Sequence, residues 1–244
     1  MKTLVVIPSY NEIKNIPSLL NKIFSLEPNL NVLVVDDNSP DGTGKYIDDE
    51  IKNNTYQGKL FVLHRLQKSG LGTAYIEGFK WGLQHNYDAF ISMDGDLSHS
   101  PQYLKVMLQN IKDNDLVIGS RYIRGGGCKN WDLKRKILSR GGNIYAQCLL
   151  FSKIHDLTGG FNCYTADFLR RINLDTILSK GYCFQIEMKF RHSLAKAKIK
   201  EIPIIFTDRT AGESKINDSI IKEAILKVFI LSCQRFKIKR LMNV

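Results

Sequence analysis

Cysteine is scarce in this 244-residue sequence: five residues, at 128, 148, 163, 183 and 233, with no C-x-x-C pair among them. An odd, scattered set excludes a disulfide framework and a zinc site of the usual spacing. It fits a reducing compartment in which each thiol packs as a small hydrophobe. Long apolar runs are also missing. No charge-free stretch reaches the roughly 18 residues that a spanning helix needs. The first apolar run, Leu4-Val5-Val6-Ile7, is stopped by Pro8, too soon for the core of a secretory signal. The chain is therefore expected to be soluble or to lie on a membrane. Low-complexity tracts and fixed-period repeats do not occur. Apolar and charged fractions of 43% and 24% are those of a globular protein, and the length suits a single domain over residues 1–244.

Charge is plentiful but divided. The formal net charge is +11, yet residues 1–120 hold 11 Lys and Arg against 14 Asp and Glu, whereas residues 121–244 hold 24 against 10. The first half supplies carboxylates and the second a positive field, which calls for an anionic partner such as phosphate, nucleic acid or an acidic membrane surface.

Short apolar runs at 3–8, 31–36, 60–64, 89–93 and 115–119 alternate with helix-spaced segments near 13–25, 43–53, 72–84 and 101–112. That alternation predicts an α/β fold, Rossmann-like, with a mostly parallel central sheet and helices on both faces. Beyond 121 the pattern predicts a basic helix over 133–150, a strand near 161–164, a helix over 182–196, a strand over 198–206 and a helix over 218–236. Ligands of such sheets sit beyond the carboxyl ends of the strands. The polar residues collect there: Ser9-Tyr10-Asn11-Glu12, Asp36-Asp37-Asn38-Ser39, Asp94-Gly95-Asp96 and Ser120-Arg121.

Asp94 and Asp96 flank one glycine at a strand end, so both carboxylates can turn toward one hard cation, Mg²⁺ or Mn²⁺. Such a cation takes its remaining ligands from water and substrate phosphates. Asp37 is placed to hold the base or ribose of a nucleotide, while Ser39, Asp41 and Thr43 read as turn and cap chemistry. Gly70-Leu71-Gly72 resembles half of a dinucleotide fingerprint, but Tyr75 stands where the third glycine is needed, which excludes a dinucleotide oxidoreductase. The run Trp131-Asp132-Leu133-Lys134-Arg135-Lys136, with Ser139 and Arg140 a turn later, is a basic helix start suited to a second anion. Arg209 and Lys215 lie in a segment that reads as a loop able to close over a diphosphate.

In this order, the blocks IPSYNE, VVDDNSPDGTG, GLGTAYIEGF, SMDGDLSHSP, GSRY, WDLKRKILSRGGN, DLTGGFNCY, GYCFQIEM and DRTAGESK resemble the catalytic chains of the dolichyl-phosphate mannosyltransferases, family 2 glycosyltransferases of the GT-A type. The first four blocks are shared with many polyprenyl-phosphate glycosyltransferases; WDLKRKILSRG and GYCFQIEM are more specific. The resemblance covers about residues 4–215 and implies a nucleotide-sugar half (1–120), an acceptor half (121–215) and a basic amphipathic helix (216–244). It implies that Pro8, Tyr10, Glu12, Val35 and Asp37 line a guanosine pocket, and that Asp94 and Asp96 hold the metal with Gly95 against the donor. Arg121, Arg209 and Lys215 would meet the donor phosphates, and Arg135 and Ser139 the phosphate of the acceptor. Asp94, Asp96 and Arg121 are then the catalytic residues. The family usually carries Ala where this chain has Gly95, and some relatives supply a third metal ligand from a Gln at the position of Ser98. That ligand stays open between Ser98 and His99.

The implied reaction moves mannose from GDP-mannose to dolichyl phosphate with inversion, supplying glycosylation and GPI-anchor pathways. The implied setting is the cytosolic face of the endoplasmic reticulum membrane, with peripheral attachment, small membrane-anchoring subunits as partners and no nucleic acid. A phosphate monoester is mostly dianionic near pH 7, its second pKa being about 6, so no general base is expected. In residues 219–240, apolar positions recur at helical spacing before Arg235, Lys237, Lys239 and Arg240, as on a helix lying in a membrane interface or one packed on the core. A UDP-glucose-dependent glucosyltransferase, a nucleotidyltransferase and a basic RNA-binding module remain as alternatives.

Overall fold

The structure is a computed structural model that describes residues 1–208 and 218–242. Arg209 and Lys215 lie outside the described residues. In chain order the elements are β1 (Thr3–Ser9), α1 (Ile16–Leu26), β2 (Asn31–Asp36), α2 (Thr43–Lys52), β3 (Leu60–His64), α3 (Leu71–Gln84), β4 (Ala89–Ser92), α4 (Leu104–Asn110) and β5 (Leu116–Ser120). They continue with β6 (Gly127–Lys129), α5 (Leu133–Leu150), β7 (Asn162–Thr165), α6 (Ala166–Arg171), α7 (Phe184–Leu194), β8 (Ile199–Pro203), β9 (Ile205–Thr207), α8 (Asp218–Cys233) and α9 (Arg235–Leu241).

Seven strands form one sheet in the order β3-β2-β1-β4-β7-β5-β8, and β6 and β9 form a separate two-stranded parallel ladder. Every pairing in the large sheet is parallel except those of β7, which runs antiparallel between β4 and β5. The expected mostly parallel α/β sheet is therefore present. Pro8 is tolerated in β1 because β4 pairs only with Thr3–Val6; the missing N–H of Pro8 lies beyond that ladder.

Alternation along the strands sorts the core into two layers. Leu4, Val6, Leu33 and Val35 point to the face covered by α3 and α7, where they meet Tyr75, Phe79 and Phe184. Val5, Ile7, Val32 and Val34 point the other way, toward Ile16, Leu19, Leu20 and Ile23 of α1 and Leu104 and Met107 of α4.

The second half departs from its sequence reading in three places. The segment 198–206 is two strands rather than one: β8 extends the large sheet beside β5 and ends at Pro203, the chain breaks at Ile204, and β9 leaves to pair with β6. β6 itself is masked in the sequence by the glycines around it. The helix near 218–236 is likewise two, α8 and α9, meeting at Gln234. All five cysteines are free thiols, but Cys148 and Cys233 are exposed rather than buried.

Gly82 of α3 marks the closest helix-to-sheet approach: a Cβ there would lie 2.3 Å from the Phe90 ring and 2.7 Å from Leu4. Overpacking costs roughly 1–3 kcal/mol and outweighs the gain of about 1 kcal/mol in helix propensity. Gly82→Ala should lower the denaturant midpoint. Gly141→Ala on α5, where a Cβ meets nothing within 4 Å, should raise it. Equilibrium unfolding of both variants checks the pair.

Candidate active site

β1, β2 and β4 run parallel, so their carboxyl ends share one edge of the sheet. The loops that follow bring Pro8, Tyr10, Glu12, Asp37, Asp94, Gly95 and Asp96 around one cleft of about 340 Å³. The loops are fastened to one another by short polar side chains. Ser39 Oγ accepts from the Asn11 amide and Thr43 Oγ1 from the Glu12 amide, both at 3.1 Å, while Asp41 accepts from the Ile13 amide and from the Thr43 amide and hydroxyl. The turn reading of Asp41 and Thr43 matches these bonds, but the helix N-cap is Gly42 with no side-chain cap bond, and Ser39 serves to join the loops.

Asp37 lines the cleft, but its carboxylate meets Arg65 at 2.5 Å, and Arg65 is buried and also bonded to Thr73 Oγ1. Burial pushes the Asp37 carboxyl upward and Arg65 opposes that push. Arg65 has no signal in its local sequence; only the fold brings it to Asp37. Val35 departs from expectation. It is fully buried, and its side chain faces α3 beside Gly78, because strand alternation turns it away from the cleft. Lys68 joins the cleft with its ammonium 4.3 Å over the Tyr10 ring. Gly70 adopts φ +105° where a Cβ would strike the Lys180 carbonyl at 2.6 Å. The glycine pair thus serves a close backbone approach rather than a dinucleotide.

The two aspartates are held from behind. Tyr75, fully buried, donates its hydroxyl proton to Asp94 Oδ1 at 3.0 Å, and the Ser98 amide donates to Asp96 Oδ1 at 3.1 Å. Burial, with Asp94 adjacent, keeps the Tyr75 phenol well above its ordinary value, so it stays a donor. The residue that broke the glycine fingerprint is the one that orients Asp94. Leu97 completes the turn at φ +65°, a left-handed conformation unusual for a branched side chain. The Asp94 amide donates to His99 Nδ1 at 3.0 Å, and burial lowers the His99 pKa, so the ring is neutral with its proton on Nε2, 3.8 Å from Asp94 Oδ2. With Nδ1 committed to a backbone donor, His99 stands beside the carboxylates as a neighbour. Ser98 Oγ is buried and, among the described residues, has no hydrogen-bond partner.

This donor set fits a hard divalent cation that keeps open positions. The Asp94 side chain is 32% exposed, Asp96 lies beside it on the same cleft, and among the described residues no third acidic, His or Cys group closes a cage. At Gly95 an alanine methyl would meet Ile16, Ile7 and the Pro8 carbonyl at 3.4–3.5 Å, ordinary contacts, so Ala fits there as well.

A second cleft, of about 530 Å³, is lined by Arg121, Tyr122, Gly127, Cys128, Trp131, Lys136, Ile137, Arg140, Gly141 and Ile144. Aromatic contacts lead to it from the first: His99 meets Phe206 at 5.5 Å and Phe206 meets Trp131 at 5.4 Å between ring centroids. Arg121 lines this cleft and not the one that holds the aspartates. Its guanidinium is buried against Asp156, with Nε and Nη2 each 2.7 Å from a carboxylate oxygen, and Nη2 also donates to Thr158. Arg135 stacks over Trp131 at 4.4 Å but pairs with Asp208 at 2.6 Å, and Ser139 shares a hydrogen bond with Tyr122. Lys136 and Arg140, from the same helix, line the space together with Arg121.

The family model for glycosyl transferase family 2 matches residues 4–172. This chain is a family 2 glycosyltransferase. An undecaprenyl-phosphate mannosyltransferase of Micrococcus luteus is 45% identical over 228 residues, 93% of each chain. A polyprenol monophosphomannose synthase of Mycolicibacterium smegmatis is 42% identical, covering 93% of this chain and 85% of that one. Among solved structures, the glucosyl-3-phosphoglycerate synthase of Mycobacterium tuberculosis in complex with UDP superposes with a TM-score of 0.67 at 17% identity, over 95% of this chain and 80% of that one. A mannosyltransferase from Pyrobaculum calidifontis in complex with GDP-Man and Mn²⁺ gives 0.63 at 16% identity, over 96% and 64%. At such identities these two show the GT-A fold, which this glycosyltransferase shares.

Lys189 of α7 has no counterpart in the sequence reading. It is fully buried, and burial pulls its ammonium down to about 7, with Asp156 opposing. The unfolded chain therefore binds more protons than the folded one between about pH 7 and the ordinary lysine range near 10.5, so stability gains as pH rises from 7. Below pH 7 the penalty of a buried cation is fully present. Thermal melts between pH 6.5 and 8.5 should show wild type gaining on Lys189→Met as pH rises. A second expectation concerns Tyr75: Tyr75→Phe should keep the melting temperature within a few degrees while lowering glycosyl transfer about tenfold, by loosening Asp94.

Proposed function

We propose that this glycosyltransferase moves mannose from GDP-mannose to the phosphate of a polyprenyl phosphate, dolichyl phosphate in the form the sequence resemblance implies, with inversion at the anomeric carbon. The observation that carries the reading is the pairing of two clefts of opposite character. One is headed by Asp94 and Asp96, the other lined by Arg121, Lys136 and Arg140 with Trp131, Ile137 and Ile144. A nucleotide diphosphate suits the first and a lipid-linked phosphate the second. The names of the two curated relatives, both prenyl-phosphate mannosyltransferases, support the same pairing.

Asp94 and Asp96 would hold Mg²⁺ or Mn²⁺ against the donor diphosphate; when bound, the cation offsets the charge that gathers on the departing GDP. The chain's own residues supply the rest. Tyr75, His99 and the Ser98 amide fix the two carboxylates. Tyr10, Glu12 and Asp37 offer an aromatic face and carboxylates to the nucleoside. Lys136 and Arg140 would orient the acceptor phosphate, with Arg135 and Ser139 holding Trp131 and Tyr122 in place around it. Among the described residues no carboxylate lines the second cleft, in keeping with a nucleophile that arrives ionised. Arg121 then acts as the fixed positive floor between the clefts.

A lipid acceptor also requires a surface. No described helix is long and apolar enough to cross a membrane. α5, α8 and α9 leave Leu133, Ile137, Ile225, Leu226, Phe229 and Phe236 exposed, and Lys237, Lys239 and Arg240 are close by in the chain. Val228, Leu231 and Ile238 meanwhile face the core, so these helices both pack and present an apolar, basic face that suits peripheral attachment to an anionic bilayer. The endoplasmic reticulum membrane and small anchoring subunits belong to the dolichyl form of this reading.

The test is a labelled-sugar transfer assay comparing GDP-mannose with UDP-glucose and dolichyl with undecaprenyl phosphate, with and without Mg²⁺ or Mn²⁺. Mannose should move to lipid only with metal, and Asp96→Asn should cut the rate by on the order of 10²-fold or more. Glucose transfer from UDP-glucose, or near-normal turnover of Asp96→Asn at saturating Mn²⁺, would overturn the reading.

A further inference from the structure

Residues 154–160 form neither helix nor strand, yet Ile154, Asp156 and Leu157 are buried. A buried loop must find partners for its backbone polar groups, and here side chains from four other elements supply them. From α5, Gln147 Nε2 donates to the Ile154 carbonyl at 2.6 Å and Asn143 Nδ2 to the His155 carbonyl, while Asn143 Oδ1 accepts from the Leu157 amide at 2.8 Å. From β8, the Glu201 carboxylate accepts from the amides of His155 and Asp156. From β4, Ser92 Oγ donates to the Gly160 carbonyl at 2.6 Å. From α7, Lys189 Nζ donates to the carbonyls of Leu157 and Gly159.

Through their partners the two ends of this loop reach toward different clefts. At one end Asn143 ties it to the helix that carries Lys136 and Arg140. In the middle Asp156 holds Arg121, the floor of the second cleft, and also the Gly159 amide. At the other end Gly160 lies against the first cleft: a Cβ there would stand 3.6 Å from both Asp94 carboxylate oxygens and 3.3 Å from His99. Lys189 is expensive to bury, reaches neither cleft and serves only the loop, with Asp156, Arg121, Glu201 and His192 as its charged or titratable neighbours.

We propose that residues 154–160 are a strut coupling the acceptor cleft to the metal carboxylate Asp94, and that Lys189 and Asn143 are positioning residues that hold it. The roles of the two clefts rest on the function proposed above; the coupling itself does not. Asn143 grips the acceptor end and Lys189 the middle, so their variants should differ. Asn143→Leu should raise the acceptor KM about tenfold with the donor KM within twofold. Lys189→Met, similar in length and apolar, should lower kcat about tenfold and also raise the acceptor KM.

Hydrogen–deuterium exchange without any ligand reads the strut independently. In Lys189→Met, amides in 94–99 and in 121–131 should both exchange faster, with 31–52 unchanged. Unchanged exchange in either of the first two segments would overturn the strut. So would kinetics within twofold of wild type in both variants, or equal losses for donor and acceptor in Asn143→Leu. Wild type that transfers no mannose would instead overturn the function and leave the exchange result standing.

Discussion

A buried ion pair between Arg121 and Asp156 governs how the two halves of the chain meet. Arg121 follows β5, the last strand of the acidic half, and Asp156 belongs to the loop that precedes β7. Neither group tolerates isolation: taking a single charge out of water costs several kcal/mol, and removing one partner of such a pair typically costs about 3–5 kcal/mol. The carboxylate is answered by Nε, Nη2 and the backbone amide of Arg121 and by the Gly159 amide, which holds Asp156 well below the usual carboxylate range. Such a pair adds little net stability over a well-packed apolar alternative. What it adds is a defined geometry between β5 and the 154–160 loop, because the carboxylate meets five donors, the Thr158 hydroxyl at 3.4 Å being the fifth.

That geometry explains how opposite charges coexist near one reaction centre. Among the described residues Lys68 is the cation that lines the cleft of Asp94 and Asp96, and it rests over the Tyr10 ring. Lys136 and Arg140 instead sit on α5 around a separate cleft, and His99 next to Asp94 is held neutral by burial. Arg121, always charged, is shielded by Asp156. Carboxylates therefore gather around Asp94 and Asp96 and cations around Lys136 and Arg140, with an aromatic series of His99, Phe206 and Trp131 between them.

The first half of the fold was legible because its chemistry is local. β-branched runs ending at Asp36 and Ser92, helix-spaced apolar residues and turn-forming Asn, Asp and Gly all follow from nearest neighbours, and their positions at parallel strand ends place the acids together. The second half was less legible because its signals are shared between distant segments. β6 is three residues long and exists only because β9 lies beside it; the break at Ile204 follows Pro203, a punctuating residue that the single-strand reading passed over. Tyr75 reads as a failed glycine, and Lys189 as one cation in an amphipathic helix. Arg65 reads as nothing in particular, and Asp156 only as the first residue of the DLTGGFNCY block. Each acquires its role from a partner far away in sequence: Asp94, the 157–159 carbonyls, Asp37 and Arg121. Val35 shows the converse error, in which a residue in a familiar motif faces the core because strand alternation overrides its neighbours.

Among the described residues the second cleft is lined by Arg121, Lys136 and Arg140, and these cations bear on the mechanism proposed above. An alcohol acceptor needs a base within hydrogen-bond reach, and a base beside Lys136 and Arg140 would be drawn into an ion pair with them. A phosphate acceptor reverses the requirement: cations that would disable a base are what hold a dianion in line. The same cations would favour the ionised form of the acceptor, so binding and activation become one event. The two halves of the chain then divide the work by charge. In the proposed reaction the acidic half would restrain the leaving group through a metal, and the basic half would present a nucleophile that has no proton to lose.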